Sequence, residues 1–308
     1  MTILITGGCG FLGRNIVKQL LADGYRIINY MRDFTEPFEN PEHIPVYGEL
    51  FDIPRLIEVI KTYEVERIIH TAGQSHPPIS VQTPISTVEA NVMGSMGVLE
   101  AARLTGIKRV VLYSSEAAYG NVGMDLVTIQ TPQRPLTPYG VTKAAIEMMG
   151  RAYNASYGME CVSIRLGEVY GPGRITSETV QMAIDAALDG IPFRREHGRD
   201  QRLHLIHIRD AVDVSIRACF TEKVSEMAAY HATSGGHPAF GQVLDILSEL
   251  IPEAEFDVGR GTLGYDTCGM LDLSETERDL GYKPQVSLRD GITEYIEYLR
   301  KVRKDQKG

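Results

Sequence analysis

A chain of 308 residues, 43% of them apolar, holds enough material for one large or two intimately joined domains with a full core. Its formal net charge of −9 argues against nucleic acid or an anionic membrane as partner, since both select a clustered basic surface, and points to small solutes. The four cysteines (Cys9, Cys161, Cys219, Cys268) show neither CxxC nor Cys/His spacing, so neither a metal site nor a disulfide framework is expected. With no basic, apolar leader and no long apolar run, the cytoplasm is the expected compartment.

The β-branched run Ile3-Leu4-Ile5 breaks at Thr6 into glycines at 7, 8, 10 and 13. It then opens into Phe11, Leu12, Ile16, Val17, Leu20 and Leu21 at helical spacing. This predicts a buried strand, a tight turn and an amphipathic helix. Such a turn suits phosphate, because glycines admit a close backbone approach and the helix N-terminus offers unpaired N–H groups. A second strand is expected over 25–30, followed by Met31, Arg32 and Asp33. A dinucleotide fold usually ends this strand on a carboxylate for the ribose hydroxyls, whereas an arginine accommodates a 2′-phosphate. Met31 holds the acidic slot and Arg32 follows it, which tilts the cofactor towards NADP, with NAD open. In the other reading Arg32 is solvated and Asp33 serves the ribose.

A loop is expected over 35–45, a short strand at Val46 and Tyr47, a helix over 54–63 and a buried strand over 67–72. Strand and helix alternate on short links, the pattern of a parallel sheet covered on both faces. Ligands of such sheets lie at the carboxyl ends of strands, where Asp52, Ala72 and Gly73 fall. The proline-broken stretch 74–84 reads as an active-site loop, and 85–105 as one long helix. The strand Arg109–Tyr113 then delivers Ser114, Ser115 and Glu116 to the same edge.

Tyr139 and Lys143 open a helix over 139–157 and lie one turn apart on one face. A phenol titrates near pH 10, too high for a base at neutral pH, and an adjacent ammonium favours phenolate. Ser115 orienting a substrate oxygen, Tyr139 moving its proton and Lys143 tuning Tyr139 make a complete set for proton transfer at an alcohol or ketone. Beyond residue 167 the alternation loosens. Helices are expected over 177–189, 210–220, 239–250 and 288–302, with strands over 203–208 and 229–233 and a basic stretch over 193–202.

The chain resembles the extended short-chain dehydrogenases/reductases, and within them the nucleotide-sugar epimerase/dehydratase family. The likeness is carried by TGGCGFLG (6–13), HTAG (70–73), SVQTP (80–84), NVMGS (91–95), SSEAAYG (114–120), YGVTK (139–143), RLGEVYGPG (165–173), HATSGG (231–236) and LGYKPQVSLRDGI (280–292). It implies an α/β fold: a Rossmann-type doubly wound parallel sheet over 1–166, and a smaller substrate-binding α/β lobe mainly over 167–308, the chain crossing between lobes. It further implies hydride exchange with a nicotinamide at a carbon bearing a hydroxyl or ketone, with Ser115 and Tyr139 catalytic and Lys143 holding the ribose. Gly7, Gly10, Phe11, Leu12, Gly13, Ile53, Asn91, Ser114, Leu166 and Val169 join Arg32, Asp52, Ala72 and Gly73 as expected cofactor contacts. Ser75, His76, Ser115, Glu116, Glu168, Arg174, Arg202 and His204 are expected near substrate, with His207 a further candidate. A homodimer through the helices 85–105 and 139–157 is implied as well.

The departures from the family pattern narrow the substrate. Glu168 stands where nucleotide-sugar members commonly carry an asparagine. Leu203-His204-Leu205 stands where they carry an Arg-Asp-aromatic run, leaving Arg202 one residue out of register. The stretch 261–269, GTLGYDTCG, offers no arginine. A carboxylate beside a diphosphate repels it, and missing arginines remove its best partners. Glu116 is followed by Ala117 instead of the second carboxylate of dehydratases, which disfavours elimination of water. The leading expectation is therefore a net dehydrogenase or reductase acting on a sugar or sugar-like polyol. The alternatives are a nucleotide-sugar epimerase with retained NAD and a non-enzymatic NADP-sensing regulator on the same fold.

Overall fold

A computed structural model describes residues 1–32, 38–123, 125–174, 176 and 178–305; Asp33, the alternative ribose contact, lies outside them. The first half runs β1 (Thr2–Thr6), α1 (Phe11–Ala22), β2 (Arg26–Met31), β3 (His43–Tyr47), α2 (Ile53–Thr62), β4 (Arg67–His70), α3 (Pro77–Gln82) and α4 (Pro84–Val88). A π-helical turn (Glu89–Met93) leads into α5 (Gly94–Thr105), β5 (Arg109–Ser115), β6 (Leu126–Val127), α6 (Pro138–Tyr157) and β7 (Glu160–Leu166). Then come β8 (Glu168–Tyr170), α7 (Thr179–Asp189), β9 (Phe193–Arg195), β10 (Leu205–His207), α8 (Ile208–Phe220) and β11 (Ala229–Ala232). The chain closes with α9 (Phe240–Leu250), β12 (Phe256–Val258), β13 (Met270–Leu271), α10 (Ser274–Leu280) and α11 (Leu288–Asp305).

Seven parallel strands form the central sheet in the order β11-β7-β5-β4-β1-β2-β3. The order reverses between β1 and β4, which opens a crevice at the carboxyl edge. Period-two alternation sorts the β1 side chains. Ile3 and Ile5 join α1 and α8 residues on one face, and Leu4 joins α2, α5 and α6 residues on the other. All three are fully buried, worth about 1.5–3 kcal/mol each on removal from water. A third core, with Tyr170, Ile184, Phe193, Phe240, Leu244 and Tyr295, belongs to the C-terminal half. From the second half of the chain, α8 packs on the central sheet and β11 pairs with β7.

Three expected boundaries change. The 74–84 stretch contains α3, because Pro77 and Pro78 sit at the first helical positions, where the missing N–H costs nothing. The expected helix 85–105 is divided by the π-helical turn at Glu89–Met93. The expected strand 203–208 shortens to β10, and α8 starts at Ile208, capped by His207.

Candidate active site

The glycine turn lies between the ends of β1 and β4. Gly7 has φ +69°, and a Cβ there would come 2.7 Å from the Ala72 backbone, so only glycine fits. Gly10 donates to the Gly7 carbonyl (2.9 Å) and begins α1 with no side-chain cap and no acidic residue in the first turn. The helix N-terminus with its partial positive charge therefore faces the crevice. At the end of β2, Met31 is buried and meets Cys9 of the turn, sulfur to sulfur at 3.6 Å; Arg32 follows and is exposed. Asp52 caps α2 by accepting from the Arg55 N–H (3.1 Å), with Ile53 beginning that helix.

Below the turn, His70 links β4 to its neighbours. Thr6 Oγ1 accepts from the Ala72 N–H, so its own proton goes to His70 Nδ1 (2.7 Å). Ser95 Oγ donates to the Asn91 carbonyl and so accepts from His70 Nε2 (2.8 Å). Burial first, and then Lys143, brings His70 down to about 3, so this bridge is neutral throughout the working range. Asn91, an expected cofactor contact, also braces the site. Its amide donates to the Gln74 carbonyl (3.0 Å) and Thr142 Oγ1 (2.9 Å) and accepts from the Gln74 N–H (2.7 Å), because the residue is buried between the loop after β4 and α6.

Two residues that sequence reasoning missed set the start of α6. Thr137 Oγ1 accepts from the Gly140 N–H (3.1 Å), and buried Ser80 Oγ from the Tyr139 N–H (3.1 Å). The Thr-Pro step preceding Tyr139 is a capping signal readable in sequence; the pairing with Ser80 is not. Gly140 matters for a different reason. A Cβ there would lie 2.3 Å from the Ala117 carbonyl, so glycine lets α6 close onto the loop after β5. As a result the Tyr139 phenol comes within interaction range of Ser115, whose Oγ accepts from the Ala117 N–H (3.2 Å).

Lys143 Nζ lies 5.6 Å from the Tyr139 ring centre and donates to the Tyr113 carbonyl (2.9 Å), while Ser114 Oγ donates to the Lys143 carbonyl (3.3 Å). The Tyr139 phenol lies above its ordinary value in this structure. Burial dominates and pushes the phenol up to about 12, with Ser115 pulling down and Glu116 pushing up. Burial also brings Lys143 down to about 8, which weakens the cation that was to do the tuning. The phenol is thus a proton donor as it stands.

On the substrate side, Glu116 pairs with His204, and Glu168 hydrogen-bonds Glu178. Glu178 caps α7, accepting from Val180 (2.6 Å) and Gln181 (2.8 Å). Burial and the Glu178 charge push Glu168 above the usual carboxylate range, and burial raises Glu178 as well. Arg174 bridges the two halves of the crevice. Its guanidinium sits 5.9 Å from the Phe11 ring centre, donates to the Thr176 carbonyl (2.8 Å) and the Val169 carbonyl, and lies within electrostatic reach of His76, Tyr139, Glu168 and Glu178. His76 precedes α3, Ser75 is exposed beside it, Leu166 ends β7 and Val169 is the middle residue of β8.

Three expected substrate contacts fall elsewhere. Arg202 is exposed and donates to the His237 carbonyl (2.8 Å), while Leu203 next to it is buried, as a one-residue offset on an extended segment dictates. His204 has both ring nitrogens taken by protein. His207 is fully buried against Tyr170, ring centres 5.3 Å apart. Among the described residues no group of three or more His, Cys, Asp or Glu could hold a metal, and no helix is long and apolar enough to cross a membrane.

Residues 3–229 match the model of the NAD dependent epimerase/dehydratase family. The chain belongs to this family. It is accordingly an extended short-chain dehydrogenase/reductase enzyme, dependent on a nicotinamide dinucleotide. It is 27% identical to a dTDP-glucose 4,6-dehydratase of an Actinoplanes species, over 97% of this chain and 98% of that protein. It is 28% identical to a putative UDP-glucose 4-epimerase of Methanocaldococcus jannaschii, over the same shares. A UDP-glucose 4-epimerase of Thermotoga maritima, solved with UDP-glucose, superposes with a TM-score of 0.89 at 25% identity, covering 98% of this chain and 100% of that one. The Thermus thermophilus UDP-glucose 4-epimerase, solved with NAD, gives 0.85 at 26% identity over 97% and 99%.

Proposed function

We propose that this family member transfers hydride between a nicotinamide dinucleotide and a secondary alcohol or ketone of a sugar or sugar-like polyol, with Tyr139 moving the substrate proton. The observation that carries the reading is the buried Tyr139 phenol within interaction range of Ser115, with Lys143 Nζ 5.6 Å from its ring centre, at the carboxyl edge of the sheet. A protonated phenol held by burial donates to a carbonyl oxygen as hydride arrives at the carbon. Ser115, whose Oγ accepts from Ala117, has its own proton to orient the same oxygen. Lys143, whose Nζ donates to the Tyr113 carbonyl, would hold the ribose hydroxyls, and the uncapped start of α1 would hold the pyrophosphate. When bound, the nicotinamide supplies or accepts the hydride, and its oxidised form adds a positive charge that favours the phenolate needed for the reverse direction.

We assign NADP as the cofactor, because Met31 occupies the acidic slot against Cys9 and Arg32 is the next side chain. Arg32→Ala is expected to weaken NADPH by about tenfold or more while NADH changes little, the loss of one charge-assisted phosphate contact. Fluorescence titration with both dinucleotides checks this, and an unchanged preference assigns the ribose elsewhere.

The substrate is read as lacking a nucleotide diphosphate, since Arg202 donates to the His237 carbonyl (2.8 Å) and the stretch 261–269 carries no arginine to pair with one. A second reading, a nucleotide-sugar epimerase with retained NAD, draws on the likeness to the UDP-glucose 4-epimerases. A screen of free sugars, sugar acids and nucleotide sugars with each nicotinamide, followed by near-UV absorbance, separates the two. Net absorbance change supports the first; bound NAD and isomerisation without net change establish the second.

We further propose a homodimer in which a second copy covers α4 and α6. Ile85, Val88, Val141, Met148 and Tyr157 there are 42–73% exposed, a density of large apolar groups that water disfavours. Light scattering is expected to give twice the chain mass, and Met148→Glu to return it to one.

A further inference from the structure

We propose that His204 is a positioning residue: as an imidazolium it ties Glu116, the neighbour of Ser115, to the segment carrying Gly269, and so holds a charge-compensated carboxylate beside Tyr139. The argument begins with donors and acceptors. His204 Nδ1 contacts a Glu116 carboxylate oxygen and Nε2 lies 2.9 Å from the Gly269 carbonyl oxygen. Both partners are acceptors only, whereas a neutral imidazole carries a single N–H, so only the doubly protonated ring satisfies both. The His237 ring stacks on it with centres 4.2 Å apart and 16° between planes. Burial, then the His204 charge and Arg202, hold His237 down to about 4, so a neutral ring faces the cation.

Three loops therefore converge on one buried side chain. His204 is 6% exposed and Glu116 26%, so Glu116 is the member of the pair that a ligand reaches. Its negative charge pushes Tyr139 up, and the His204 charge offsets that push. Burial alone would lower His204; the adjoining Glu116 charge, with the Gly269 carbonyl, outweighs it and leaves the imidazole above its ordinary value. The charged or titratable groups around the pair are Tyr139 from α6, Glu168 from β8, His231 from β11, His237 from the loop before α9, and Asp266 and Cys268 from the segment before β13. The sign follows from the raised value. The clasp is complete below the ordinary histidine range and is lost as pH rises through the folded-state value, because the neutral ring must release Glu116 or Gly269.

The kinetic consequence rests on the Tyr139 reading above; the clasp itself does not. In ¹⁵N-histidine spectra, the signal assigned to His204 by its loss in H204Q or H204N is expected to show both nitrogens protonated at pH 7. It should titrate above about 6.5, and E116Q should move that midpoint downward. A neutral His204 at pH 7, or a midpoint unmoved by E116Q, overturns the proposal. In hydride transfer, H204Q is expected to lower kcat about tenfold to a hundredfold with KM little changed, and to remove the alkaline limb assigned to His204. An unchanged kcat and limb overturns it equally. The spectra need no substrate, so failure of the Tyr139 reading leaves them interpretable.

Discussion

Tyr139→Phe is expected to abolish hydride transfer, lowering kcat by about 10²–10⁴, the usual worth of one positioned acid–base group. The substitution keeps the ring, which is only 8% exposed and packed, and removes one oxygen within interaction range of Ser115. Cofactor affinity should stay within about threefold, because the glycine turn, Arg32 and Lys143 are untouched; a phenol far from the pyrophosphate contributes less than one ordinary hydrogen bond to it. Stopped-flow absorbance gives the rate and dinucleotide fluorescence the affinity. Activity equal to the parent would remove Tyr139 from the mechanism. A parallel loss of cofactor binding would instead make it a structural group.

The largest expected stability effect lies elsewhere on the same helix. Tyr139, Lys143 and Glu147 follow one another at four-residue spacing along α6, and Glu147 meets Arg165 of β7 with both side chains 2% exposed. Arg165 Nε donates to Glu147 (2.7 Å) and Nη1 to the Ile129 carbonyl (3.0 Å) and Tyr119 OH. Tyr119 in turn contacts His231 Nε2 (2.6 Å), whose Nδ1 donates to the Asp272 carbonyl (2.8 Å). Burial keeps His231 down at about 4, and the single Tyr119 proton serves two acceptors, His231 Nε2 and the Thr128 carbonyl (3.0 Å). Glu147→Ala strands a guanidinium inside the protein and is expected to cost about 3–5 kcal/mol in denaturant unfolding. The paired change Glu147→Leu with Arg165→Met should recover most of it, because removing both charges removes the desolvation cost as well. A loss below about 1 kcal/mol in the single variant would mean that water reaches the arginine.

Much of the fold was legible because short-range chemistry specified it. Ile3-Leu4-Ile5 is buried on both faces, the glycines follow it at once, and Thr137-Pro138 announces the helix that carries Tyr139 and Lys143. The breaks came where tertiary contacts compete with local pattern. A run read as one helix over 85–105 contains a π-helical turn, in which Asn91 is drawn into bonds with Gln74 and Thr142. Sequence spacing could not reveal Glu147 as a buried partner, since a glutamate mid-helix reads as solvated until its arginine is found on a neighbouring strand.

The sequence by itself determined the strand, glycine turn and helix at the N-terminus and pointed to the Ser115, Tyr139 and Lys143 set proposed above, because each depends on residue types at fixed local spacing. Only the tertiary structure decided the electrostatics of that set. Burial, which no local spacing encodes, holds Tyr139 protonated and weakens the Lys143 charge. Residues 88 positions apart in the chain, Glu116 and His204, form their ion pair because the loop after β5 and the segment before β10 meet over the carboxyl edge of the sheet.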